Sequence, residues 1–127
     1  MSGKLLLFGF DSLLHVLALE AAVGPFGAEI VPVARMDYNK TLAVLAGLDA
    51  DVAPVMPYSG GTLGGRMIVF CELEDRLDTL LPALRKAGAG PECLKAVLTP
   101  HNRGWNGVML YAELQKEHRA FQKGGRV

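Results

Sequence analysis

Two short runs constrain this chain more than any other feature. Lys4–Phe10 reads KLLLFGF and Arg66–Leu73 reads RMIVFCEL. Each is almost continuously apolar, only a few residues long and followed by polar or acidic residues. Such a run is a buried central strand.

The segments behind the two runs come in the same order. After the first, Asp11 or Ser12 caps a helix that runs to about Val23 and stops at Gly24-Pro25. Leu13, Leu14, Val16, Leu17, Leu19 and Val23 make this helix apolar on more than one face, so it is deeply covered or packs on another subunit. Glu29–Ala34 is a second strand, and Pro32, which cannot donate to a ladder, puts it at a sheet edge. Asp37 and Asn39 offer a turn or cap before an apolar helix at Thr41–Leu48.

After the second run, Asp75 caps a helix with Asp78 three residues on, resembling a capping box. Leu77, Leu80, Leu81 and Leu84 form its apolar stripe, and Pro82 implies a kink or a locally missing bond. Cys93–Leu98 is a fourth strand carrying Lys95, and a last helix runs from about Trp105 to Phe121. Val108, Tyr111, Leu114, His118 and Phe121 share one face of it.

The halves also match residue by residue. Lys4–Phe8 aligns with Arg66–Phe70 at an offset of 62, and Glu29-Ile30, Val33 and Asn39 align with Glu92-Cys93, Ala96 and Asn102 at 63. We therefore expect one domain, residues 1–127, built by internal duplication. Its halves, about 4–48 and 66–121, are joined by a Gly/Pro-rich loop at 49–65. The fold class is α+β (α/β): ferredoxin-like duplicated βαβα units forming an antiparallel four-stranded sheet. The two apolar strands are central, and the Pro32 and Lys95 strands lie at the edges. An open parallel α/β sheet with helices on both faces is the alternative.

Composition narrows the function classes. A chain of 127 residues that is 50% apolar is not disordered. Thirteen basic and thirteen acidic groups cancel, which argues against a polyanion or nucleic-acid binder. The cancellation is uneven: residues 1–65 carry 3 basic and 6 acidic groups, residues 100–127 carry 5 and 2. Lys116, Arg119, Lys123 and Arg126 read as a solvated basic end. Mean hydropathy, +0.25, is high and hints at a buried partner surface. Cys71 and Cys93 make no disulfide framework and read as free buried thiols in a reducing cytoplasm. Asp11, His15 and Glu20 interrupt the apolar start, so we expect no signal peptide and no membrane span.

The richest polar cluster is Thr99-Pro100-His101-Asn102-Arg103-Gly104-Trp105. Amides at this turn could bind a small anion with charge from His101 and Arg103, and Trp105 could stack on a flat ligand. Thr99 or Asn102 could equally cap free amides while Trp105 anchors the helix. The glycine-rich segment 60–65 precedes a strand and has Arg66 where a phosphate loop carries lysine, so it reads as a connector or a ligand lid. Glu113, Glu117 and His118 fit no metal-helix spacing, and His15 and His118 read as packing residues. No nucleophile signature occurs, and the acids Glu72, Glu74, Asp75 and Asp78 suit a helix N-terminus.

Arg66–Phe70, Leu77–Leu84, LKAVLT at 94–99, Asn102, Trp105, Glu113-Leu114 and Glu117-His118 together resemble a small bacterial domain family of unknown function, over residues 55–121. The resemblance implies a bacterial origin and no catalytic role.

The leading expectation is a non-enzymatic cytoplasmic module that forms homo-oligomers or binds a protein partner, with no cofactor, no metal and no catalytic residues. The alternative is a small-ligand or anion sensor built on Thr99, His101, Asn102, Arg103 and Trp105 with the glycine segment as lid. An enzyme using His101 or Cys71 comes third.

Overall fold

Each apolar run is a central strand. The computed structural model describes residues 3–51 and 56–124, with side chains of the last helix as far as Glu117. Its four strands are β1 (Gly3–Phe8), β2 (Ala28–Pro32), β3 (Met67–Cys71) and β4 (Leu94–Val97), ordered β2-β1-β3-β4. Four helices, α1 (Leu13–Val23), α2 (Leu42–Leu45), α3 (Leu77–Lys86) and α4 (Gly107–Gly124), alternate with them. The Pro32 and Lys95 strands are at the edges, as their chemistry requires.

The sheet is mixed. β1 and β2 are parallel, β3 and β4 are parallel, and β1 meets β3 antiparallel. This corrects both the antiparallel ferredoxin-like sheet and the all-parallel alternative, while the α+β class stands. In a split βαβ arrangement another strand would enter between the two strands of each unit. Here each crossover helix returns its strand directly beside the parent, and the two most apolar strands bury one another at the centre.

The central register is symmetric about one pair. Leu6 lies opposite Val69, and Leu5 and Leu7 lie opposite Phe70 and Ile68. Leu5, Leu7, Ile68 and Phe70 face one core with Leu19, Val23, Leu80 and Leu84 of α1 and α3. Leu6, Phe8, Met67, Val69 and Cys71 face a second core with Leu42, Leu110 and Tyr111 of α2 and α4. Leu5 therefore corresponds to Ile68 and Leu6 to Val69, an offset of 63. The offset of 62 would equate Leu5 with Met67, which points to the other face. Strands apolar on both faces match in sequence at any shift, which is why the strings alone misplaced the correspondence.

The same symmetry continues outward. Val33 donates to the Leu7 carbonyl and Leu98 to the Phe70 carbonyl, each at 2.9 Å. Thr41 and Asn106 form an isolated bridge over the sheet. Each is also a helix cap: Thr41 Oγ1 accepts from Val44 N (3.2 Å) and Asn106 Oδ1 from Met109 N (2.8 Å). Helix α4 thus starts after Asn106, not at Trp105. Ser12 Oγ caps α1 by accepting from His15 N at 3.3 Å. Helix α3 has no side-chain cap, which corrects the Asp75–Asp78 capping box. Asp75 sits within a 3-10 turn, Glu74–Arg76, instead of ahead of the helix. Cys71 and Cys93 belong to opposite cores and are free.

Candidate functional site

The turn after β4 is closed by its own side chains. Asn102 is buried, and its Oδ1 accepts from Thr99 N (2.9 Å) while its Nδ2 donates to the Val97 carbonyl (3.1 Å). Thr99 Oγ1 accepts from Asn102 N at 3.1 Å. Arg103 N and Trp105 N donate to the Thr99 and Asn102 carbonyls. Arg103 Nη2 is paired with Asp49 at 3.0 Å, and the His101 ring meets the Trp105 ring edge-on at 5.3 Å. The structure brings all five expected residues together: Thr99 and Asn102 satisfy each other, Arg103 is held by Asp49, and His101 and Trp105 meet through their rings. A cavity of about 150 Å³ beside Thr99 also holds Glu72 and Glu74, whose charge opposes an anion.

The glycine segment does not approach this turn. Gly65 lies just ahead of β3 and Thr99 follows β4; because these strands are parallel, the two features sit at opposite ends of the sheet. Burial pushes the Cys71 thiol up to about 12, so it carries almost no thiolate near neutrality. Burial raises Cys93 as well. His15 is half-buried: its Nδ1 accepts from Arg66 Nη1 (3.0 Å), and Arg66 Nη2 reaches Glu92 Oε1 (3.2 Å). The side chains of His118 and Phe121 lie outside the described residues. Among the described residues no group of three His, Cys, Asp or Glu could hold a metal, and no helix is long and apolar enough to cross a membrane.

A different surface stands out. Of the α1 side chains only Leu19 and Val23 are buried, so the helix is not covered on several faces within the chain. Leu13 and Leu14 are 71% and 79% exposed, and Leu17 is exposed beside them. A groove of about 710 Å³ runs between α1 and α3, floored by Ala18, Ala21 and Ala22 on one side and Pro82 and Ala83 on the other. The two helices share one plan: Leu19 and Val23 fill the core where Leu80 and Leu84 do. On that correspondence Leu13, Leu14 and Leu17 match Glu74, Asp75 and Asp78. These positions are thus exposed acids in the second half, two of them in the 3-10 turn ahead of α3, and bare leucine on α1. The sequence disclosed the apolarity of α1; the groove depends on which helix lies beside it, and no local pattern reports that.

Fold and surface together define a small α+β module with an open apolar helix face. Within it, residues 66–121 match the model of a family described as a domain of unknown function (DUF3783). The match covers β3, α3, β4 and α4 as far as residue 121, which is the second βαβα unit. Neither a curated protein nor a solved structure matches the chain.

Proposed function

We propose that this protein is a non-enzymatic, self-associating module whose contact surface is the outer face of α1 together with the α1–α3 groove. The exposure of Leu13, Leu14 and Leu17 carries the reading. A second copy is the occupant because the surface is self-complementary. Large side chains stand beside a groove of alanines, so a twofold operation sets the leucines of each copy against the groove of the other. Glu20 is the only formal charge on α1 and Lys86 lines the groove, so the two copies bring opposite charges together. Each buried leucine contributes about 1.5–3 kcal/mol and counts twice in such an interface. The total is of the same order as the roughly 4–15 kcal/mol cost of association, so the dimer depends on concentration.

Light scattering across a concentration series tests this. Wild type should approach the mass of a dimer, while Leu14→Glu and Ala21→Glu should stay monomeric with unchanged circular dichroism. A wild type that remains monomeric at roughly 1 mM, or variants that dimerise like it, would overturn the proposal.

The symmetric register supports a further reading, that the halves are copies of one βαβα unit, the second being the one the family model matches. The first copy then covers the edge of β3 that a lone unit would leave bare. Two buried free thiols support a cytoplasmic setting.

A further inference from the structure

The two parallel strand pairs differ at a second place. Each parallel strand pair opens a crevice at its carboxyl ends, the position where open α/β sheets bind ligands. Beyond β3 and β4 that crevice is the acidic one of about 150 Å³, and its Arg103 is neutralised by Asp49. Beyond β1 and β2 it is about 820 Å³, within the range of small-molecule sites. Gly9 takes φ +81° there, and a Cβ would come within 2.5 Å of the Gly65 carbonyl, so only glycine keeps this wall in place. Asp11 and Arg35 both line the crevice, and neither has an ion-pair partner among the described residues. Tyr38 is 4% exposed; its Oη accepts from Gly9 N at 3.1 Å, and no acceptor takes its own proton among the described residues. Phe10 and Val33 supply an apolar wall.

We propose that this crevice binds a small zwitterion, an α-amino acid with an apolar side chain. Arg35 and the Tyr38 hydroxyl take the carboxylate, Asp11 takes the ammonium, and the side chain lies along Phe10 and Val33. A carboxylate and a guanidinium without ion-pair partners among the described residues in one crevice match a ligand that carries both charges, and the third charged lining residue, Arg66, is already held by Glu92 and His15. A plain anion would face Asp11 and a plain amine would face Arg35. The site does not depend on the α1 face, which lies on the groove between the helices.

The test is calorimetric titration of the full chain with L-phenylalanine, its decarboxylated amine phenethylamine, and its deaminated acid 3-phenylpropionate. Amide shifts at Gly9 and Gly64 locate any binding. Phenylalanine should bind saturably and move these amides, and each analogue should bind at least tenfold more weakly. Arg35→Gln and Asp11→Asn, both at exposed positions, should each lose at least tenfold in affinity, and Arg103→Gln in the other crevice should lose nothing. Leu14→Glu should bind as wild type does. No saturable binding up to roughly 10 mM, equal binding of either analogue, or wild-type affinity in Arg35→Gln and Asp11→Asn would overturn the proposal.

Discussion

Replacing Asn102 by alanine separates a structural polar cluster from a ligand site. The side chain makes two hydrogen bonds, from Thr99 N and to the Val97 carbonyl, in a residue only 8% exposed. Alanine leaves that donor and that acceptor without partners. A fully buried orphan costs about 1–3 kcal/mol. Val97 lies on an edge strand and Thr99 is half-buried, so water recovers part of the loss. We expect a net destabilisation of about 2–3 kcal/mol. With a urea slope of roughly 2 kcal/mol per molar, the midpoint falls by about 1–1.5 M. Circular dichroism, read at a concentration that leaves the chain monomeric, avoids coupling to association. A midpoint shift below about 0.3 M would mean that the closed turn contributes nothing to the fold. Asn102→Asp keeps the acceptor for Thr99 but turns a carboxylate towards the Val97 carbonyl, and should be destabilised at neutral pH.

The other predictions concern packing, titration and surface charge. A Cβ on Gly107 would run into the ring of the fully buried Phe8, so Gly107→Ala should cost about 1–3 kcal/mol in a urea melt, with Phe8→Leu in the same chain recovering part of it. Burial pushes the Cys71 thiol up to about 12 from its ordinary 9.0. Its stabilisation is complete below pH 9 and declines by about 1.4 kcal/mol per pH unit as pH rises towards 12. Cys71→Ala should flatten that part of a pH–stability profile. Neither thiol should react with Ellman's reagent at neutral pH until urea unfolds the chain, since both are buried. Arg103→Gln removes only an exposed pair with Asp49 and should change stability by less than about 1 kcal/mol.

Much of this fold could be read from residue chemistry. Continuous apolarity fixed β1 and β3 at the centre, Pro32 fixed β2 at an edge, and the stripe of Leu80 and Leu84 fixed the buried face of α3. Strand direction could not be read, because Leu5–Phe8 and Met67–Cys71 are apolar on both faces and carry no phase. For the same reason the matched strings gave an offset that inverts the faces. The polar turn was legible as a cluster, but its hydrogen bonds close inward. The crevice beyond β1 and β2 was not legible, since Gly9, Asp11, Arg35, Tyr38 and Gly65 are scattered along the chain. Only the β1–β2 and β1–β3 pairings bring them to one end of the sheet.

If α1 is the contact surface, two copies of the chain must lie at one fixed separation. A spin label on Arg85→Cys, an exposed position of α3 outside the groove lining, reports only separations between molecules while the native thiols stay buried. Self-association through α1 gives a single narrow distance that disappears when Leu14→Glu is added. A dipolar signal no different from randomly distributed monomers, at concentrations where the chain is fully folded, would contradict it.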